Sequence, residues 1–487
     1  MVPQYPTVTK PHGGLSPADG KAISLELNRR AGENPLYRET KVELPAGRNA
    51  SWRISPEPYA VPLNVFHQMQ QLGNHLLSFY KAVNRLYQES VKGRQPAWVH
   101  QLLDQGKPEA LIDYQRMNRF KQLTPMVIRP DLIINEEGKL VACELDSVPG
   151  GIGLTGSMAT DYADFGYSLI GGADGLVEGF AKMIRDVAGK ESPVLAIVVS
   201  EESNDYWFEQ QWIAERLNAM GLRTVVLRPG DLIYTEEGMV LPAEHGRTRV
   251  DVVYRFFELF DLKNLPKAEL LQYANKKQQV IVTPPYKAFL EEKMTFALFH
   301  HPVLRAFWQQ ELGKEAFSVL EGLIPKTWIL DPTPLPPQAV IPGITVNGAP
   351  VTDWMQLANT TKKERAYVVK PSGFSTLAWG SHGISFGTDL SNEDWSAALK
   401  NALDSFSTTP YLLQEFHKPA KTTTSYYHFR KEEVVSMDAR ARICPYYYVV
   451  GGEAQLAGVL TTLVPLDKLA IHGMTDAVMV PTMVADK

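Results

Sequence analysis

The chain has 487 residues, 44% hydrophobic and 21% charged, enough to bury two to four cores at roughly 150 residues per domain. A formal charge of −5 supplies no field to attract a nucleic-acid backbone or an anionic membrane, which leaves small-molecule chemistry as the expectation. The opening MVPQYPTVTKPHGG lacks a basic start and an apolar core, no run of about 18 apolar residues follows, and the two isolated cysteines, Cys143 and Cys444, suit a reducing cytoplasm.

The first 60 or so residues are rich in proline, glycine and polar side chains without a clear period. Val65, Met69, Leu72, Leu76, Tyr80, Val83 and Tyr87 then recur at helical spacing and predict one long amphipathic helix, with shorter helical patterns to about Phe120. Strands are expected over 126–134 and 139–146, ahead of a glycine-rich loop, VPGGIGLTG. VLAIVVS reads as a buried strand, DYWFEQQWIAERLNAMG as a helix closed by Gly221, and RTVVLRP as the next strand, a βαβ unit to which DVVYRFFEL adds another strand. Helices are expected over roughly 287–323, and the proline-dense DPTPLPPQAVIPG reads as a surface loop. Strands and helices alternate beyond it: AYVVKP, a helix capped by Ser391, YLLQEF, EVVSMDARARI and QLAGVLTTLV.

The densest chemistry lies on the hairpin over 126–146. With Asn135, Glu136, Glu137 and Gly138 as its loop, Ile134 is expected opposite Lys139, which sets Arg129 across from Glu144 and Asp131 across from Ala142. Asp146 follows on the same face, while Ile128, Leu132, Ile134, Val141, Cys143 and Leu145 take the other. Three carboxylates and a guanidinium on one face suit a hard cation such as magnesium, held together with substrate phosphates. A wet hairpin face that merely tolerates charge reads equally well. If this face binds magnesium, Asp131→Asn and Glu144→Gln should abolish turnover while leaving the melting temperature of the apo protein unchanged or raised, because repulsion between the acids is relieved.

Lys370 ends an apolar strand and precedes Ser372, Gly373, Ser375, Gly380, Ser381, His382 and Gly383, which suits a phosphate cradle, although such a segment is more commonly a plain turn and the spacing is not that of the common P-loop. In PYLLQEFHKP, Gln414 and Glu415 either present backbone to an adenine edge or belong to an ordinary edge strand. Asp438, Arg440 and Arg442 share a strand face, where the arginines would neutralise phosphate charge or simply meet solvent. Lys293 falls on an expected helix, where a lysine is ordinarily solvated.

Taken in order, RPDLIINEEGKLVACELDSVPGG, DVVYRFFEL, PPYKAFLEEK with LIPKTW, YVVKPSG and LLQEF resemble the ATP-grasp superfamily, specifically its circularly permuted group typified by the synthetase domain of glutathionylspermidine synthetase. The resemblance runs from about residue 124 to the end. It implies an α/β (α+β) permuted ATP-grasp fold divided into an N-terminal extension and helical layer (1–122), a segment with a metal-binding hairpin (123–190), a Rossmann-like βαβ subdomain (191–265) and nucleotide-binding lobes (266–487). ATP and Mg2+ are the implied cofactors. Asp131, Glu144 and Asp146 would be metal ligands and Arg129 would face the phosphates and the acyl carbon. Lys293 and Lys370, with Ser372 and Gly373 after it, would hold phosphates, and Gln414 and Glu415 would lie at the adenine hinge. Asp146 stands where the family pattern has asparagine, which makes the site more acidic, and the amidase domain of bifunctional members is not expected, because the region ahead of the resemblance is short and contains no cysteine.

The implied activity is ADP-forming ligation of a small-molecule carboxylate, an amino acid or peptide, to an amine through an acyl phosphate, with neither nucleic acid nor membrane as partner. Two other readings stand beside it, a phosphotransferase on the same fold and a nucleotide-binding protein without turnover.

Overall fold

A computed structural model describes residues 15–39, 43–378 and 383–485. At its centre lies a seven-stranded sheet in the order Tyr59–Val61, Val478–Val484, Glu453–Pro465, Glu433–Val450, Val127–Ile134, Leu140–Asp146, with Lys421–His428 also paired to Glu433–Val450. The strand Glu433–Val450 runs for 18 residues and feeds two cores, because successive side chains point to opposite faces. Tyr447 joins one core, and Tyr446 and Tyr448 join the other.

On the Tyr447 side lies the expected long helix, Leu63–Val91. Its Gly73 rests on the Tyr447 ring so closely that a Cβ would come within 2.5 Å of it, and the tyrosine hydroxyl donates to Met69 O at 2.6 Å. On the opposite side pack two helices that the sequence pattern did not suggest, Ile152–Asp164 and Gly175–Ala188. The first begins inside the supposed loop: Gly151 takes a left-handed φ of 89°, and the Glu209 carboxylate accepts from the N–H groups of Gly151 at 2.8 Å and Leu154 at 3.2 Å, capping the helix.

The βαβ pattern becomes a four-stranded parallel sheet, Thr224–Leu227, Leu195–Val199, Val252–Phe256 and Ile281–Thr283 in that spatial order. A second, antiparallel four-stranded sheet consists of Thr327–Ile329, Tyr411–Glu415, Tyr367–Pro371 and Ser385–Phe386. One of its faces carries Val369 and Leu413 onto Trp395 of the helix Asn392–Asp404, which Ser391 caps by accepting from Asp394 N at 3.0 Å. Alternation sends Lys370, Leu412 and Gln414 to the other face, towards the hairpin. No helix among the described residues is long and apolar enough to cross a membrane.

Two expectations are corrected. The N-terminal stretch contains a helix, Pro17–Glu33, whose buried stripe of Gly20, Ser24, Leu27, Asn28 and Ala31 is too small and polar to show a hydrophobic period. The hairpin register also differs: Ile134 pairs with Leu140 instead of Lys139, and a bulge at Cys143 makes Asp131 face Glu144 and Arg129 face Asp146. Without that extra residue the observed register would turn Glu144 and Asp146 away from Arg129 and Asp131. Leu140 and Ala142, in place of Val141 and Cys143, therefore join Ile128 and Leu132 in the core.

Candidate active site

Asp131 is 4% exposed and lies between two guanidinium groups. Its Oδ1 is 3.1 Å from Arg129 Nε, its Oδ2 is 2.8 Å from Arg442 Nη1, and Cys444 Sγ donates to Oδ1 at 3.4 Å. Arg129 also reaches Asp146 Oδ2 at 3.1 Å and donates to Gly150 O at 3.2 Å, an oxygen that Tyr446 Oη shares at 2.9 Å. Burial disfavours every charge here, and the neighbours decide which survive. Burial pushes Asp131 up, but Arg129 and Arg442 outweigh it and hold the carboxyl below its ordinary range. Burial likewise works against Arg129 and Arg442, and the facing carboxylates keep both guanidiniums above theirs. At Asp146 burial exceeds the pull of Arg129 and the carboxyl is raised.

Lys293 directly precedes the helix Met294–His300 and is far from solvated. Its Nζ lies 2.7 Å from Glu144 Oε1 and also donates to Ala378 O. Lys370 is buried at the end of its strand and donates to Cys143 O, the carbonyl of the bulged residue, at 2.7 Å and to Gln414 Oε1 at 2.8 Å. Burial pulls this ammonium below its ordinary range. Gln414 donates in turn to Thr327 Oγ1 at 3.1 Å, so its side chain holds Lys370. The N–H groups of Glu415 and Phe416 are already engaged by Lys326 O and Ala366 O, both at 2.8 Å. Ser372 donates to Glu292 and accepts from Met294 N at 2.9 Å, with Gly373 against the same carboxylate. Of the two strand arginines only Arg442 reaches the cluster, since Arg440 donates to Leu466 O at 2.6 Å. Gly380, Ser381 and His382 lie outside the described residues.

The parts meet at a cavity of about 70 Å³ lined by Glu144, Asp146, Glu258, Glu291, Lys293 and Phe374 among others. The sequence reading missed two of these acids. Glu258 lies just beyond the carboxyl end of Val252–Phe256, where parallel sheets commonly present ligand-facing groups, and that position was the signal available. Burial, reinforced by Glu291, pushes Glu258 up to about 8. Glu291 is raised by burial as well and is paired with the fully buried Arg255. A much larger cavity, about 1130 Å³, is lined by Val141, Ile324, Lys326, Thr327, Glu415 and His417 among others. It has the volume for a nucleotide but lacks the charged cluster. Perturbed acids and lysines gathered in this way make the cluster the candidate reactive centre, and the larger cavity a candidate pocket for ligand bulk.

Among the described residues, no group of three or more His, Cys, Asp or Glu is arranged to hold a metal ion. Both oxygens of Asp131 face guanidinium groups, whereas Glu144 and Asp146 line the small cavity and are donors of the hard oxygen type.

No family model and no curated protein matches the sequence. Among solved structures, the chain is similar to a glutathione synthetase-like effector from Globodera pallida in its apo form, with a TM-score of 0.60 at 13% identity over 97% of this chain and 98% of that one. It is also similar to a protein provisionally described as a gamma-glutamylcysteine synthetase from Methylobacillus flagellatus KT, with a TM-score of 0.39 at 12% identity over 83% of this chain and 84% of that one. The chain is thus a mixed α/β protein that shares its fold with the Globodera pallida effector.

Proposed function

We propose that the protein is an ATP- and magnesium-dependent ligase that joins a carboxylate to an amine on a circularly permuted ATP-grasp fold of the glutathionylspermidine synthetase kind. The observation that carries this reading is the convergence of Lys293, Lys370, Arg129, Arg442, Glu144, Asp146 and Glu258, drawn from the central, parallel and small antiparallel sheets and their connections, on one cluster. A carboxylate is a poor electrophile; converted to an acyl phosphate it acquires a good leaving group, and an amine can displace it.

Each residue then has a task. Lys293 and Lys370 would bind phosphate oxygens, and the buried, weakened ammonium of Lys370 gains most from an anion. Arg129 and Arg442, aimed by Asp131, would stabilise the charge that develops at the reacting centre. Glu144 and Asp146 fit a magnesium ion shared with phosphate, since that ion takes one or two carboxylates besides substrate oxygens, and it would neutralise phosphate charge there. Base and sugar would occupy the larger cavity beside Glu415. Glu258, with a pKa near working pH, would accept the proton that the amine loses.

The test is ADP release screened over pairs of amino acids or small peptides with amines. The ligase reading requires release that depends on both members of a pair; release with an acid or alcohol alone would point to a phosphotransferase. With an active pair, Arg129→Lys keeps the charge but loses the planar fork, so kcat should fall about 100-fold with ATP affinity little changed. Full turnover in this variant would leave Arg129 as a partner for Asp131 and Asp146 only.

Glu258 supplies a pH test. Its carboxyl ordinarily titrates at 4.5 and is raised to about 8 in the fold, so the stability it permits is full below 4.5 and lost as pH rises towards 8. Glu258→Gln should therefore flatten the fall in melting temperature between pH 5 and pH 8 and remove the matching ionisation from the rate profile. An unchanged slope and profile would take the proton-accepting role away from Glu258.

A further inference from the structure

Lys107 belongs to the helical layer, far in sequence from the phosphate-facing lysines, yet its side chain is 1% exposed and ion-paired with Glu292, itself 4% exposed. The pair is built from both directions. Gln105 donates to Phe406 O, and Gly106, with a φ of 73°, sits so tightly on Thr408 O that a Cβ would not fit. Residues 105–107 thereby dock on the loop before the strand Tyr411–Glu415, and the Lys107 ammonium also lies 5.5 Å from the centre of the Phe374 ring.

Glu292 uses its two oxygens differently. Oε1 takes Lys107, and Oε2 accepts from the Ser372 hydroxyl. Ser372 is further held by Pro410 O, to which its N–H donates at 2.9 Å, and by Met294 N, from which its hydroxyl accepts at 2.9 Å. A Cβ on Gly373 would lie 2.6 Å from the Glu292 carboxyl carbon, so the turn after Lys370 is moulded on this carboxylate. The arrangement carries an electrostatic problem: Glu292 adjoins Lys293 in sequence, and an unmatched anion there would repel the phosphates that Lys293 and Lys370 serve.

We propose that Lys107 is a positioning residue that neutralises Glu292, letting this carboxylate hold the turn at 372–378 without repelling a polyanionic ligand. The charge half of the inference rests on the phosphate site proposed above; the turn-holding half does not. Lys107 acts through Glu292 and touches no reacting atom.

The experiment pairs titration calorimetry, using ADP with magnesium, with amide hydrogen exchange over residues 372–378 of the free protein. Lys107→Met should weaken ADP about 10-fold or more and speed exchange in that segment, while Lys107→Arg, which keeps the charge, should preserve both. Adding Glu292→Gln to Lys107→Met should restore most of the affinity, a rescue that a purely structural role would not give. Wild-type affinity in Lys107→Met, or a double variant no better than the single one, overturns the charge role. Exchange unaltered in Lys107→Met overturns the turn-holding role. Absence of ADP binding by the wild-type protein sinks the phosphate reading and the charge role with it, and the exchange measurement still decides the other half.

Discussion

A carboxylate buried between two guanidinium groups is the constraint around which the site is arranged. Asp131 takes Arg129 from its own strand and Arg442 from the neighbouring strand Glu433–Val450. Removing three charges from water is costly unless each is matched, and once matched the set has little freedom to turn. Both arginines are consequently held in fixed directions, which is what the proposed role in charge stabilisation needs. The bulge at Cys143 serves the same end: it brings Glu144 and Asp146 onto this face and offers a carbonyl to Lys370.

The surrounding substructures each bring charged groups to that centre. The hairpin brings acids, the small antiparallel sheet brings Lys370 held by Gln414, and the parallel sheet brings Glu258 with Arg255 and Glu291 behind it. Arg129 meets its acids within the hairpin, whereas Lys293 and Arg442 reach Glu144 and Asp131 from other elements, so the full cluster forms only when the parts dock. The helical layer takes part through Lys107 and is more than a cover for one core.

Much of this was legible in the residues. The long helix, the hairpin strands, the βαβ unit and the capped helix after Ser391 all have strong periodicity or a cap, and each lies within a few residues of its expected place. Arg129, Asp131, Glu144 and Asp146 were expected to share a face, and they do, but by a different register, because a bulge leaves no trace in an alternating pattern. Arg440 and Arg442 are indistinguishable by spacing; only the neighbouring strand shows that Arg442 meets Asp131 while Arg440 turns to Leu466. Glu292 and Lys107 escaped notice because their meaning is wholly tertiary: each is an ordinary charged residue until its partner, far along the chain, is brought beside it; Glu258 had only its place after a parallel strand to mark it. The helix Pro17–Glu33 escaped for the opposite reason, since its buried face is not hydrophobic.

The most direct measurement of the account is the stability of Asp131→Asn. The arrangement predicts that removing the charge leaves Arg129 and Arg442 facing each other in a desolvated site, lowering stability by about 3 kcal/mol in urea denaturation and abolishing turnover together. A variant as stable as the wild-type protein, or more stable, would contradict it, since that outcome belongs to a cluster of mutually repelling carboxylates and not to an acid that holds two arginines in place.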